Sequence, residues 1–334
     1  LEQIMMQYLL RVAVFSLAAL LFSSCGQKRA GLQEGAVAPD QQLFETGMQY
    51  LDKSQFIKAR LAFQTLVNTY PESEHTPASF LSIADSFYKE AGTTNLLQAE
   101  TQYKDFIIFY PTHEIADDAQ MKIAAVNVRL MREPDRDPTY AIKAEKELIK
   151  FLEIYPDSEL APTAYEFLWE VQENLADGMQ GVGDFYFSKD SHLASESRYR
   201  EVLERYPDYS LMSTTLHRLG QSLERLGRVE EAAVYYSRLV SEYPFSEYEG
   251  AAREMLILLE RPVPQVDPVV AAANQAEANR RVDEGFSVLG PIRGVWQIFT
   301  GREDPYEVAR QRAEKRKQQE QAASQPTPAS NGRN

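Results

Sequence analysis

The chain has 334 residues, of which 44% are hydrophobic and 11% aromatic, and this composition excludes a wholly disordered protein. Its 49 acidic residues outnumber its 35 Lys and Arg, and the formal net charge of −14 argues against binding to nucleic acid, because a polyanion would be repelled. Ala, Leu, Glu, Gln and Arg predominate over alternating Val and Thr, which predicts an all-α fold.

The N-terminus has the features of an export signal. Residues 12–22 are apolar apart from one serine, a run shorter than the roughly 20 residues that span a bilayer and typical of a signal peptide. Two serines then precede Cys25, the only cysteine of the sequence. We predict a signal peptide over residues 1–24 and a flexible linker over residues 25–41. A buried structural cysteine is the alternative for Cys25.

This arrangement resembles a bacterial lipoprotein signal, although Phe22 stands where leucine is usual. The resemblance implies that the Cys25 thiol is acylated and that cleavage occurs before it. It also implies the periplasmic face of the outer membrane, because Gly26 rather than aspartate follows the cysteine. Three acyl chains would anchor the protein stably, since each buried CH₂ contributes about 0.8 kcal/mol.

The middle of the chain contains a fivefold repeat marked by the pair Tyr-Pro. The pairs are Tyr70-Pro71, Tyr110-Pro111, Tyr155-Pro156, Tyr206-Pro207 and Tyr243-Pro244. Small or apolar residues recur twelve, eight and five positions before each proline, a spacing that lies on one face of a helix. They are Ala59, Phe63, Leu66; Ala99, Tyr103, Phe106; Ala144, Leu148, Phe151; Ser195, Tyr199, Val202; and Ala232, Tyr236, Leu239.

In each repeat, another helix precedes the helix that ends at Tyr-Pro, and we call these two the first and the second helix of the repeat. Gly47, Gly183 and Gly220 stand at matching offsets before it, where a small residue lets two helices approach closely. These are the positions of a tetratricopeptide repeat. We therefore predict a tetratricopeptide solenoid of five helical hairpins over residues 42–261, ended by a capping helix over residues 248–260.

The prolines are 40, 45, 51 and 37 residues apart, whereas an ideal repeat has about 34 residues. Additional residues are predicted at 92–94, at 133–138, and in a long first helix over about 162–176. The nearby glycines indicate either a close helix–helix approach or a break in that helix; they are Gly178, Gly181 and Gly183.

These features together resemble the BamD family over residues 40–260. The resemblance rests on the five repeats, the lipoprotein signal, the segment Asp135-Arg136-Asp137-Pro138, and Asp184-Phe185-Tyr186 ahead of Tyr199. It implies a periplasmic scaffold, anchored in the outer membrane, that helps a barrel-shaped central subunit fold and insert other β-barrel proteins. The implied partners are that central subunit, other assembly lipoproteins and unfolded outer-membrane proteins. The alternative is a lipid-anchored adaptor in envelope division or peptidoglycan maintenance.

Tetratricopeptide arrays bind ligands along the groove lined by their first helices. An extended apolar and aromatic peptide, such as the last strand of an unfolded barrel, would suit such a groove. The candidate groove residues, expected to be exposed, are Phe44, Met48, Leu51, Ser82, Ser86, Lys89, Met121, Ala125 and Arg129. For Phe44 and Met48 the alternative is packing against the linker or a neighbouring helix.

Two further places are candidates for partner binding. The loop with Asp135, Arg136 and Asp137 either contacts a partner or forms a structural turn with an internal Arg–Asp pair. At Arg198, nine residues before a proline, the resemblance implies communication with the central subunit. The alternative there is a local ion pair with Glu201.

The sequence shows no pattern for catalysis, a metal or a cofactor. Its histidines are His75, His113, His192 and His217, and no two stand four residues apart as in a helical zinc site. A helical cell-wall hydrolase is the rival enzyme class, but no glutamate in a groove indicates one. We predict a protein that is not an enzyme.

The C-terminal tail, residues 262–334, has a composition of its own. A helix candidate rich in Ala, Asn and Gln is followed by an apolar segment at 285–300 and by a basic, helix-prone segment at 306–321. The last residues are predicted to be disordered. The apolar segment is predicted either to dock on the open end of the solenoid or to bind a partner or a membrane.

Overall fold

The computed structural model describes residues 38–283, and all regular secondary structure within them is helical. This confirms the all-α prediction. The helices of this range are α1 (Pro39–Asp52), α2 (Phe56–Thr69), α3 (Thr76–Glu90), α4 (Thr93–Phe109), α5 (Ala116–Leu130), α6 (Thr139–Ile154), α7 (Ala161–Ser188), α8 (His192–Arg205), α9 (Met212–Arg225), α10 (Val229–Glu242), α11 (Glu249–Leu258) and α12 (Pro268–Asp283).

The chain divides into two compact units, Leu1–Gln42 and Leu43–Asn334. Of the first, residues 38–42 are described, and there the Gln42 N–H donates to the Ala38 carbonyl over 2.9 Å. The predicted signal peptide, Cys25, the apolar segment at 285–300 and the basic segment at 306–321 lie outside the described residues. Helix α1 begins inside the predicted linker, at Pro39.

The second unit is a tetratricopeptide solenoid of consecutive helical hairpins. The five hairpins are α1 with α2, α3 with α4, α5 with α6, α7 with α8, and α9 with α10, and α11 caps the last. From α2 to α11 each helix packs against the next one in the chain. Among the first helices of the last three repeats, α7 also contacts both α5 and α9.

The core follows the spacing predicted from the prolines. All fifteen residues at twelve, eight and five positions before a proline are fully buried. The largest of them, such as Tyr103, Tyr199 and Tyr236, lie between the two helices of a hairpin, where burial of a large aromatic side chain contributes most to stability. The repeat register read from the sequence is therefore correct.

Each Tyr-Pro pair ends a second helix in the same way. The N–H of the tyrosine donates to the carbonyl four residues earlier, for example Tyr70 to Leu66 and Tyr243 to Leu239 at 2.8 and 2.9 Å. The proline has no N–H with which to continue the helix. The tyrosine carbonyl then accepts a hydrogen bond from the third residue after it, as in Tyr70 and Ser73. The chain turns here toward the next repeat.

The residues by which the repeats exceed the ideal length of about 34 lie only partly where the sequence predicted them. The loop at 131–138 contains the predicted insertion, but the loop before α4 has only Ala91 and Gly92, and α4 itself is lengthened to 17 residues. Helix α7 has 28 residues and continues to Ser188, well beyond the predicted end near residue 176. The glycines of α7 do not break it, so that alternative is wrong.

A buried charged cluster joins the second and third repeats. Lys122 on α5 donates from Nζ to both carboxylate oxygens of Asp85 on α3, at 2.8 Å each. The Tyr103 hydroxyl on α4 donates to the same carboxylate over 2.6 Å. All three side chains are buried. Burial, together with the negative charge of Asp85, raises the pKa of Tyr103 well above its ordinary value, so this tyrosine stays protonated and donates.

Helix α12, within the predicted tail, packs against the array rather than extending away from it. The Asp267 N–H donates to the Ser241 carbonyl over 3.1 Å, and the Asn274 amide donates to the Glu242 carbonyl over 2.9 Å. Further along α12, the Arg280 guanidinium lies 4.1 Å above the ring of Trp169 on α7. Helix α12 is thus anchored to both of the last two repeats.

Candidate functional site

The described residues form a pocket of about 730 Å³ beside the long helix α7. Its walls come from α6, α7, α8 and the loop between α5 and α6, and we call it the α7 pocket. It is lined by Glu133, Pro134, Asp135, Arg136, Pro138, Ile142, Asn174, Leu175, Asp177, Gly178, Met179, Gly181, Val182, Phe185, Tyr186 and Arg198. Three of the four predicted partner-binding residues, Asp135, Arg136 and Arg198, therefore lie around one pocket.

The wall made by the α5–α6 loop is held on α7 through carbonyl groups of the loop backbone. The Asn174 amide donates to the Arg132 carbonyl over 3.1 Å. One turn later the loop comes so near that an ideal Cβ at Gly178 would lie 2.6 Å from the Pro134 carbonyl oxygen. Because any side chain there would displace the loop, Gly178 is required for this wall.

The interior of the pocket is apolar and open to solvent. Phe185 is 57% exposed, Ile142 47% and Val182 44%, unusually high values for large apolar side chains that lie so near one another. Leu175 lies buried beneath them, and Met179 is half-buried. A surface of this kind suits an apolar side chain of a partner protein.

Charged side chains surround the apolar interior. Arg198, nearly half exposed, donates to Glu201 over 2.8 Å. This is the local ion pair predicted as the alternative, yet Arg198 also lines the pocket. Asp135 and Arg136 form an exposed ion pair at 3.4 Å across the rim. Asp177 accepts a hydrogen bond from the Tyr209 hydroxyl at 2.5 Å. An apolar interior inside a polar rim is the usual anatomy of a protein–protein interface.

Asp137, the fourth predicted residue, does not line the pocket. Its carboxylate accepts hydrogen bonds from the Thr139 hydroxyl at 2.6 Å and from the Thr139 N–H at 3.0 Å. These two bonds hold the pKa of Asp137 below its ordinary value. The role visible in the structure is to fix the first residue of α6.

The prediction that the first-helix candidates are exposed is wrong for most of them. The buried candidates are Phe44, Leu51, Ser82, Ser86, Met121 and Ala125. The reason is packing between adjacent helices: the Phe44 ring stacks on His75 with ring centres 5.1 Å apart, as the packing alternative required. Ser82 similarly contacts the Met48 sulfur at 3.8 Å.

The remaining three candidates are half-buried: Met48, Lys89 and Arg129. Arg129 donates to the Tyr88 carbonyl over 2.9 Å and lies 4.7 Å from the centre of the Tyr88 ring. The residues that sequence reasoning missed are Ile142, Val182 and Phe185. Their signal was present, since Phe185 belongs to the segment that carried the family resemblance and Val182 lies among the glycines of α7.

Residues 38–283 bring together no group of three or more His, Cys, Asp or Glu that could hold a metal ion. Within the same range no helix has both the length and the apolar character needed to cross a bilayer.

The decisive comparison is with protein families. Residues 37–236 match the YfiO family, described as an outer membrane lipoprotein. The chain belongs to the YfiO family. The match covers more than half of the sequence, including the first four repeats and most of the fifth.

Among characterised relatives, the chain is similar to the outer membrane protein assembly factor BamD of Rickettsia prowazekii. The two are 25% identical over 238 residues, which are 71% of this chain and 92% of the relative. BamD of Caulobacter vibrioides is 24% identical over 221 residues, 66% of this chain and 72% of that protein. Among solved structures, the TPR2AB domain of yeast Sti1 matches with a TM-score of 0.36 and 13% identity, covering 78% of this chain and 98% of that one.

Proposed function

We propose that this protein is a lipid-anchored scaffold at the periplasmic face of the outer membrane that assists assembly of β-barrel proteins. Membership of the YfiO family supports this, as do relatives named for outer membrane protein assembly. An adaptor in envelope division or peptidoglycan maintenance has no such support. In this proposal the protein acts as a scaffold, and no bond-making chemistry is part of it.

The proposed anchor is an acylated Cys25, supported by the apolar run and small residues before it. Mass spectrometry of the N-terminal peptide of the mature protein tests this directly. A mature peptide that begins elsewhere, or an unmodified cysteine, would remove the anchor from the proposal while leaving the scaffold role open.

The observation that carries the scaffold role is the α7 pocket. Its exposed Phe185, Ile142 and Val182 suit an apolar anchor of a partner, and Arg198 on the rim suits an acidic group beside that anchor. In this proposal the partner is a periplasmic domain of the central barrel subunit. The rigid attachment of the loop to α7 at Gly178 means that the site is formed before the partner binds.

Replacing Arg198 by leucine is expected to weaken binding of those periplasmic domains about three- to tenfold. The side chain is half exposed and on the rim, so its loss removes a screened charge pair rather than a buried one. The free energy of unfolding should change by less than about 0.5 kcal/mol, because the ion pair of Arg198 with Glu201 is on the surface. Calorimetric titration of both forms measures the first effect and a melting curve the second.

Arg225→Leu is the matched control for this prediction. Arg225 is an exposed arginine in the last turn of α9 and does not line the α7 pocket. It should therefore leave the affinity unchanged. Equal affinity of the Arg198→Leu form and the parent would take Arg198 out of the interface, and a large loss of stability would assign it to the fold instead.

For unfolded barrel segments, the half-buried Met48 and Lys89 remain the proposed contacts in the first two repeats. Their partial exposure is the supporting observation, since the other candidates of α1 and α3 are buried. A photo-crosslinker placed at Met48 or at Lys89 should capture the last strand of an unfolded barrel. If neither position captures it, the substrate binds elsewhere on the protein.

A further inference from the structure

Helix α12 leads the chain backwards along the array. Its start is held at the end of α10, where Asp267 and Asn274 bond to the carbonyls of Ser241 and Glu242. Thirteen residues after Asp267, Arg280 lies over Trp169 on α7. The chain thus passes from the fifth repeat to the fourth, and it does so on the side where the Tyr-Pro turns lie, because Glu242 immediately precedes Tyr243.

A second pocket lies next along the same side. It has a volume of about 470 Å³ and is formed by the two turns that contain Tyr110-Pro111 and Tyr155-Pro156, and we call it the edge pocket. Glu159 in its wall is two residues from the start of α7. Trp169 is eight residues into that helix, so the anchor of α12 is about 12 Å along α7 from the start of the helix, which adjoins the pocket wall, at about 1.5 Å per residue.

One large apolar side chain in the wall of the edge pocket is exposed. Ile154 lines the pocket and is 53% exposed. Pro111 and Pro156 line it as well. An apolar segment seated here would gain stability by covering Ile154.

The walls of the edge pocket are acidic. Glu114, Asp117, Asp157 and Glu159 line it, and its lining contains no lysine or arginine. Asp117 accepts a hydrogen bond from the Ser158 hydroxyl over 2.6 Å. The surface therefore combines an exposed apolar side chain with negative charge, and it is complementary to a segment that carries apolar residues followed by positive ones.

The chain itself contains such a segment directly after α12. Residues 285–300 hold eight large apolar side chains, and residues 306–321 hold five Lys or Arg against three Glu. We propose that residues 285–321 dock on their own chain at the edge pocket, with the apolar part on Ile154 and the basic part beside the acidic walls. About four extended residues span 12 Å, so the tail reaches the edge pocket easily. A partner that needs this surface must first displace the tail.

The test is a photo-crosslinker at position 154 in the full chain, studied at high dilution. Irradiation should join position 154 to a peptide from 285–300 within one molecule, and the product should run as a monomer. The matched control is the same crosslinker at Leu193 on α8, which is 69% exposed and lies at the opposite end of its hairpin from Tyr206. The yield at 154 should be at least about tenfold higher.

A second variant separates tail docking from effects on the fold. Trp296→Ser changes only the tail, and it should lower the yield at 154 several-fold while the melting curve is unchanged. Higher salt should also lower the yield if the acidic walls attract the basic segment. Products that run as dimers, a yield at 154 no higher than at 193, or no response to Trp296→Ser would each overturn the proposal. None of these results bears on the α7 pocket.

Discussion

Replacing Asp85 by alanine is expected to lower the free energy of unfolding by about 3 to 5 kcal/mol, because a buried ion pair loses one partner. Lys122 is 3% exposed and would lose both of its 2.8 Å bonds to the Asp85 carboxylate. The buried Tyr103 hydroxyl would lose its acceptor as well. Denaturant unfolding followed by circular dichroism measures the change.

The control is the double variant Asp85→Ala with Lys122→Met, which removes both charges and leaves an unbranched apolar side chain one atom shorter than lysine. It should recover a substantial part of the lost stability, because apolar replacements of buried ion pairs are often neutral. If the single variant loses less than about 1 kcal/mol, the cluster is not desolvated in solution and the interface of the second and third repeats is looser than described.

Gly183→Ala is expected to lower the free energy of unfolding by about 2 to 3 kcal/mol, although alanine is the better helix former. The new Cβ would lie 2.5 Å from Cε1 of Tyr199, a ring with no exposed surface and hence no room to move. Overpacking of this kind typically costs about 1 to 3 kcal/mol. Thermal and urea unfolding of the purified variant measure it.

Gly181→Ala, in the same helix, is the matched control. Apart from its chain neighbours and the backbone of its own helix, no atom lies within 4 Å of the position its Cβ would take. Helix propensity alone then applies, and the variant should be more stable by about 0.5 to 1 kcal/mol. The two substitutions make the same chemical change two residues apart. If both changed the free energy of unfolding in the same direction, Gly183 would not be packed against Tyr199 as described.

The sequence predicts the core of this protein well because the information is local and repeated five times. Periodicity counted back from each proline identified Phe63, Tyr103 and Tyr199 as interior, and all three are fully buried. The same counting placed Gly183 and Gly220 where two helices approach closely, and each does lie against a ring of the facing helix. Helical spacing fixes which side chains share a face whatever the rest of the chain does.

Features that depend on distant residues were not predictable in this way. Helix α7 was predicted to end near residue 176, with the glycines after it marking a close helix approach or a break. In the structure Gly178 lies against the Pro134 carbonyl and Gly183 against the Tyr199 ring, both within the continuous helix. Exposure of Met121 was inferred from its helix face alone. In the structure, side chains from neighbouring helices surround it in the core. Periodicity cannot count the neighbours that packing brings to a face.

For the same reason, the charged residues of the α7 pocket were predicted and its apolar residues were not. Asp135, Arg136 and Arg198 came from the family resemblance, whereas the apolar residues between them required the tertiary structure. Ile142 and Phe185 are 43 residues apart in sequence, and only the packing of α6 beside α7 places them around one pocket. Charged candidates could be named one by one, but their arrangement around an apolar interior could not.

The anchoring of α12 makes the two ends of the array mechanically unequal. An array whose helices contact mainly their sequence neighbours can open from either end while its centre remains folded. At the C-terminal end, however, opening the fifth repeat must also break the contacts of Asn274 with α10 and of Arg280 with α7. Fraying should therefore begin at α1 and α2, which native-state hydrogen exchange would show as earlier loss of protection there. Equal protection of both ends would mean that α12 contributes no coupling.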